Sequence, residues 1–326
     1  MKKLRWGIIA TGKIAHTFVQ DLQLSSNSQI TAVTSRQLHS AQAFAEQYGI
    51  PNAFSDIQEM LHHPEVDVVY VATPHPYHKD AVLTSLASGV HVLCEKPLTL
   101  NSSDTYRCIE AARKQQLFLM EAVWMRFFPA IHKAKQLLED GAIGTPQMLD
   151  AAFCFNKPFD AKHRLFSPEL GGGALLDLGI YPISLAQFLF GKPLSWTGHC
   201  LLGETGVDDF MDVTFEHENS VKAFLRASSR FDAPITATIV GTQGNIYIHE
   251  RFHHPAKITL AKHHQAPETF DFAYSGNGYQ FEIAEVERCL KSGKTESSLM
   301  SWQDTLTTME IMDDLRKQWG IQYPGE

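Results

Sequence analysis

Three side chains far apart in the chain are of types that together could oxidise an alcohol. They are Lys96 in "CEKPLTLN" (94–101) and Asp177 and Tyr181 in "GGGALLDLGIYPI" (171–183). A phenol can take the hydroxyl proton while hydride leaves the carbon, and a nearby ammonium draws the phenol from its ordinary pKa near 10 toward the working range. Asp177 and Tyr181 stand four apart, so an α-helix places them on one face. Pro182 is expected to kink that helix or to free the carbonyl four residues earlier. In this reading Tyr181 accepts the proton, Lys96 lowers its pKa and bonds the substrate oxygen, and Asp177 orients Lys96 or a substrate hydroxyl. The alternative makes Lys96 the base and leaves Tyr181 a bonding role. Each residue also has a plain structural reading: a surface lysine after a strand, a buried acid bonded to backbone, and a core aromatic whose hydroxyl reaches solvent.

Hydride needs an acceptor, and "GIIATGKIAH" (7–16) sits where a dinucleotide-binding turn belongs, between an apolar strand and a helix. The G-x-G-x-x-G/A pattern is filled by Ala10, Gly12 and Ala15. One methyl at the first position costs little if its backbone angles are ordinary. Ala10, Thr11, Gly12, Lys13 and Ile14 are the expected pyrophosphate contacts. The second strand ends in "TSRQ" (34–37), without the acid that would bond the ribose hydroxyls of NAD. Ser35 and Arg36 offer a hydroxyl and a guanidinium instead, which suits a ribose phosphate, and His39 and Ser40 could add donors. NADP is therefore the expected cofactor and NAD the alternative. Further contacts are expected at the ends of later strands. One set is Thr73, Pro74, His75 and His78 in "VATPHPYH" (71–78); the other is Glu95 and Lys96, where Pro97 fixes a turn and could form a cis bond.

The elements that must hold these groups follow from hydrophobic pattern. Apolar runs "LRWGIIA", "QITAVTS", "VDVVYVA", "VHVLCE" and "LFLMEA" read as buried parallel strands. The segments between them read as helices: "KIAHTFVQDL" repeats apolar residues at Ile14, Phe18 and Leu22, "HSAQAFAEQYG" ends in a C-capping glycine, and "NSSDTYRCIEAARKQ" opens on capping residues. This alternation predicts a doubly wound Rossmann sheet over 1–122. After a helix in "PAIHKAKQLLEDG", long alternating segments follow: "TPQMLDAAFCFNK", "DDFMDVTFEHE", "SVKAFLRASSR", "ITATIVGTQGNIYIHE" and "KITLAKHH". They predict a large, open, mostly antiparallel sheet in an α+β substrate-binding and oligomerisation domain over 123–326, closed by helices near 278–292 and 302–318. A subunit contact would cover the open face.

Bulk properties exclude several classes. The 326 residues are 44% apolar, with a net charge of −8 and no long basic run, against nucleic-acid binding. The five cysteines are scattered with no C-x-x-C pair, which suits a reducing cytosol and no metal site. The start "MKKLRWGIIATG" lacks the apolar run and cleavage site of a signal peptide. The most apolar stretch, "GALLDLGIYPISLAQFLFG", contains Asp177, Pro182 and Gln187 and is not expected to cross a membrane. Two other readings are a nucleotide-sensing regulator on the same fold without turnover, and a methyltransferase, which would want an acid after the second strand.

The turn, the Glu-Lys-Pro triplet and "GGGALLDLGIYPI" together resemble the glucose-fructose oxidoreductase / inositol dehydrogenase / MocA family. "FLMEAVWMRFFPA" (118–130), "GGALLDLGIY" (172–181) and "ETGVDD" (204–209) are similar to its dihydrodiol and D-xylose dehydrogenase branch. The resemblance spans nearly the whole chain. It implies that Lys96 sits beside the nicotinamide and the reacting hydroxyl, that Tyr181 marks the branch with tyrosine rather than histidine at that position, and that Trp124, Arg126 and Phe127 border the substrate pocket. Phe155, His163 and Tyr279 are further pocket candidates, and at least one of Phe127 and Phe128 has the alternative of being core. The implied enzyme is a cytoplasmic NADP(H)-dependent dehydrogenase of a sugar or cyclic trans-diol, dimeric through the open sheet.

Overall fold

A computed structural model describes residues 3–326. By its contacts the chain divides into two units, one running through Ala122 together with Ser275–Leu306, the other comprising Val123–Tyr274 and Thr307–Glu326.

The first unit opens with β1 (Leu4–Ile9), α1 (Lys13–Leu22), β2 (Ser28–Thr34), α2 (Leu38–Tyr48), β3 (Asn52–Phe54) and α3 (Ile57–Leu61). It continues through β4 (Val68–Val71), α4 (His78–Ala87), β5 (His91–Glu95), α5 (Ser102–Gln115) and β6 (Leu119–Ala122). The strands form a wholly parallel sheet in the order β3-β2-β1-β4-β5-β6. Every residue of β4 and β6 is buried, as expected of strands covered on both faces. Caps fall where the sequence places them: Asn101 accepts the N–H of Asp104 at 2.8 Å, and Gly49 ends α2 in the left-handed region at φ 66°. The sheet reverses between β1 and β4, so the ends of β1, β2, β4 and β5 are the ligand-binding edge of such a fold.

The second unit begins with a 3₁₀ turn (Trp124–Phe127), α6 (Pro129–Glu139) and β7 (Pro146–Cys154). A π-helical turn (Leu175–Gly179) runs into α7 (Ile180–Phe190). Then follow β8 (Ser195–Leu202), β9 (Asp208–Glu216), β10 (Lys222–Ser228), β11 (Ala237–Gly241), β12 (Gly244–Ile248), β13 (Lys257–Lys262) and β14 (Glu268–Asp271). Their order is β14-β13-β12-β11-β7-β10-β9-β8, antiparallel throughout except for the parallel β7/β10 pair. The helix α7 packs on β7 and β10, and α6 on β12 and β13. The residues between the buried ones carry Phe224 and Tyr247 and the ion pairs Arg226–Asp150 and Lys222–Glu216 to the outside. The stretch Pro168–Phe190 is long and apolar enough to cross a membrane, but its apolar window is 94% buried, as in the core helix of a globular unit.

Two more helices, α8 (Gln280–Lys291) and α9 (Trp302–Trp319), follow β14. The sequence reading gave all of 123–326 to the second domain, whereas 275–306 packs with the first unit. Asp21 of α1 accepts the N–H groups of Asn277 and Tyr279, Glu287 accepts the hydroxyls of Ser25 and Ser28, and the Trp302 indole donates to Leu119 O at 2.9 Å. These polar ties between distant positions leave no hydrophobic pattern to read.

Candidate active site

In the first unit, the turn after β1 leaves a helix N-terminus open. Gly12 is the N-cap of α1 with φ −75° and ψ 174°, and no side chain caps the helix. A Cβ built on Gly12 would meet nothing within 4 Å, so space lies directly over the free N–H groups of the first turn, the arrangement that receives a phosphate. Thr11 Oγ1 donates to Ser35 Oγ at 3.3 Å, joining this turn to the end of β2, where Arg36 is exposed. Lys13 and Ile14 open α1. The backbone at Ala10 is not ordinary: its φ is 84°, a region that favours glycine, so the methyl is kept at a cost of about 1–2 kcal/mol.

At the end of β4, Thr73 Oγ1 is buried with no hydrogen-bond partner in the described residues, while Pro74 and His75 lead into the turn before α4. His78, expected as a cofactor contact, is wholly buried. Its ring nitrogens lie 2.8 Å from Pro97 O and 2.7 Å from Thr73 O, and burial holds its pKa below the ordinary value. It ties the ends of β4 and β5 together and is shielded from direct contact with a ligand.

Lys96 follows β5 directly, half-buried, and its bond to Pro97 is cis. The triplet is held on both sides. The Tyr70 hydroxyl donates to Glu95 Oε1, and the Leu98 N–H donates to Glu121 Oε1 at 2.8 Å. Glu282 is wholly buried, and its carboxyl is pushed well up by burial and by the nearby acids Glu95 and Asp21. An open helix N-terminus, an unpartnered threonine hydroxyl and an exposed arginine fit a dinucleotide with a ribose phosphate.

Tyr279 was read as a pocket residue. It is buried in the first unit, its ring edge-on to Phe18 at 5.9 Å, and Phe18 in turn stacks on Tyr70. Its surroundings are those of a core aromatic.

In the second unit, Tyr181 occupies the first turn of α7 and is 8% exposed. Its ring lies 5.5 Å from Phe153 and 5.4 Å from His253, and His253 stacks on Phe153 at 4.2 Å. Trp124 joins this group at 5.3 Å from His254 and 6.2 Å from His253. His253 and His254 were missed. The signal was present as "RFHHP" (251–255), paired imidazoles between an aromatic and a helix-breaking proline just after an apolar strand. Burial and the neighbouring Arg251 lower the pKa of His254.

Asp177 is 3% exposed and accepts from Arg164 Nη1 at 2.7 Å, a partner the sequence did not suggest. Asp177 and Tyr181 do not share an ordinary α-helical face, because Asp177 lies in the π-turn, where the Ile180 N–H reaches back five residues to Leu175 O. His163 lies beside Arg164 in sequence, with Nδ1 accepting the Leu165 N–H at 3.2 Å, and its pKa is lowered by burial. Phe155 is half-buried, 6.1 Å from Phe153. Phe127 is buried at 5% exposure. Arg126 was expected to border the substrate. It is instead 1% exposed, donating to Ser184 Oγ and to Gln187 Oε1, both at 2.8 Å, so its fork is occupied by α7.

Comparison with known proteins follows the same division. Residues 4–123 match the oxidoreductase family with an NAD-binding Rossmann fold (GFO_IDH_MocA), and 131–247 match the GFO/IDH/MocA C-terminal domain. A trans-1,2-dihydrobenzene-1,2-diol dehydrogenase of Xenopus laevis is 37% identical over 332 residues, covering 98% of this chain and 99% of the relative. The Homo sapiens enzyme of the same name is 33% identical over 333 residues, covering 99% of each. Among solved structures, a 3-ketoreductase from Actinomadura kijaniata in complex with NADP and TDP-benzene has a TM-score of 0.88 at 24% identity, over 97% of this chain and 98% of that one. An aldose-aldose oxidoreductase from Caulobacter crescentus, complexed with glycerol, has a TM-score of 0.89 at 22% identity, over 98% of both.

Proposed function

The chain belongs to the GFO/IDH/MocA oxidoreductase family, and we propose that it oxidises a ring-borne secondary alcohol, a cyclic trans-diol or a sugar, with NADP as hydride acceptor. One observation carries the choice of substrate: Tyr181 is set in a wall of flat rings, Phe153, His253 and, next to the histidines, Trp124. Such a wall suits the face of a six-membered ring with a phenol beside it, which supports the reading. The full-length relatives named for a trans-diol substrate support the same reading.

When bound, the nicotinamide supplies the carbon that takes or returns hydride. The α1 N-terminus at Gly12 and Lys13, with Ala10, Thr11 and Ile14, receives the pyrophosphate. Arg36, with Ser35, pairs with the ribose phosphate. Thr73, Pro74, His75 and Glu95 line the strand ends, with His78 behind them. Tyr181 takes the hydroxyl proton, Lys96 supplies the ammonium that favours the phenolate and bonds the substrate oxygen, and Asp177, fixed by Arg164, orients the polar groups around it. Trp124, Phe127, Phe155 and His163 are assigned to the substrate side. Location in the cytoplasm and a homodimer through the open face of the second sheet belong to the same proposal. Exposed Leu201, Leu202, Phe224 and Tyr247 support the dimer.

The test is to follow absorbance of the reduced cofactor with trans-1,2-dihydrobenzene-1,2-diol, D-xylose and inositol, each with NADP and NAD. Turnover of a diol or sugar, faster with NADP, is expected. Binding of NADP with no turnover across the set would leave a nucleotide sensor in place of an enzyme.

A further inference from the structure

The π-turn that carries Asp177 is fastened from behind, within the second unit, by groups outside the proposed site. The chain enters the turn through Gly171, Gly172 and Gly173, with φ 66° at the first and 115° at the third. At the head of β9, Asp208 accepts the Leu175 N–H at 2.6 Å. Gly173 lies so close to the same carboxylate that a Cβ would fall 2.3 Å from Asp208 Oδ1. A Cβ on Gly172 would fall 2.9 Å from the carbonyl oxygens of Arg164, Leu165 and Ser167. From the C-terminal tail, the Tyr323 hydroxyl donates to Gly172 O.

The tail is itself locked. Arg316 of α9 donates to Glu326 at 2.8 and 2.9 Å and to Asp313 at 2.8 Å, and its guanidinium lies 4.9 Å from the centre of the Tyr323 ring. The Tyr323 N–H donates to Glu326 Oε2 at 3.0 Å. Asp208, Tyr323 and Arg316 are 0%, 3% and 4% exposed. Burial pushes the Asp208 carboxyl up to about 7, against the pull of the Leu175 N–H and of Arg316. A buried acid kept at that cost marks a site where geometry outweighs stability.

We propose that Asp208 and Tyr323 are positioning residues for the reaction, holding the π-turn in the register that presents Asp177 and Tyr181. A π-turn is a poorer helix than the α form and persists where its surroundings over-determine it. Released from its anchors it relaxes by one residue per turn, a rotation of roughly 100° that carries side chains off the site. The inference rests on the assignment of Tyr181 to proton transfer made above.

The experiment uses Tyr323→Phe, which keeps the ring and deletes one bond, and Asp208→Asn, which keeps an acceptor for Leu175. Two readouts are taken on the full chain: kcat and KM with the best diol or sugar, and deuterium exchange into residues 172–181. Expected are a fall in kcat of roughly 10- to 100-fold at nearly constant KM for NADP, and faster exchange confined to that stretch. Exchange identical to wild type in both variants overturns the proposal. So does a kcat loss that vanishes when rates are corrected for folded fraction. If wild type turns over no diol or sugar, the functional reading fails, and the exchange result still decides whether the two residues hold the turn.

Discussion

Arg126 Nε donates to Ser184 Oγ at 2.8 Å, fastening the 3₁₀ turn of the second unit to the helix that begins beside Tyr181. Gln187 takes the same guanidinium and also accepts from Thr308 Oγ1 at 2.7 Å. An arginine in an aromatic stretch reads as a ligand contact because buried arginines are rare; here it is a bolt inside the fold. Arg126→Leu is expected to lower unfolding free energy by about 2–3 kcal/mol, measured by urea denaturation, since the charge-assisted bonds to Ser184 and Gln187 are lost. Arg126→Lys should recover little, because an ammonium lacks the fork. Full stability with lost turnover would return Arg126 to the substrate.

The dinucleotide turn separates binding from folding. A Cβ at Gly12 would meet nothing in the protein within 4 Å, so Gly12→Ala should lower stability by no more than about 1 kcal/mol, the loss of an N-cap glycine, and raise the NADP dissociation constant more than about tenfold, read by calorimetry. Ala10→Gly relieves the methyl held at φ 84° and should stabilise the chain by up to about 1 kcal/mol with binding retained. Arg36→Asp should weaken NADP far more than NAD; an equal loss for both would remove the phosphate contact.

Turnover tests the two groups assigned to the proton. Tyr181→Phe and Lys96→Ala should each lower kcat by roughly 10²–10⁴. Tyr181→Phe should leave NADP affinity within a few-fold, since it removes one hydroxyl from the second unit. Unchanged rates in both variants would discard the chemistry.

Acid stability has a readable source. His217, after β9, is 1% exposed, and burial holds its pKa at about 4 against an ordinary 6.5. Between those values the unfolded chain binds a proton that the folded chain does not, so stability is full above pH 6.5 and is lost as pH falls toward 4, by up to roughly 1.4 kcal/mol per unit. His217→Phe, packed against Phe190 and Phe215, should flatten that limb in urea titrations run at stepped pH.

The parts of this architecture that carry a strong local period were legible in the sequence. The fully buried β4 and β6 and the largely buried β1, β2 and β5 read as continuous apolar runs, and β9 through β13 as alternating ones. Short or exposed elements were not: β3 has 3 residues, α3 has 5, and β8 is an edge strand of exposed and half-buried residues that shows no apolar face. The π-turn is invisible because side-chain periodicity predicts an α-helix through Asp177 and Tyr181, and the buried bonds from Asp208 and Tyr323 beside it come from distant positions. The parallel β7/β10 pair also escaped, since alternation marks a half-covered strand and says nothing of its direction. His253 and His254 lie in a loop whose path no pattern gives.

Because Ser275–Leu306 belongs to the first unit, the nucleotide-binding half cannot be finished when its sixth strand leaves the ribosome. Asp21, Ser25, Ser28 and the Leu119 carbonyl wait for partners that emerge only after the entire second sheet has been synthesised. Release of nearly the whole polypeptide thus precedes completion of either half, so a nascent fragment ending near residue 122 would expose the flank that α8 shelters and invite chaperones rather than cofactor.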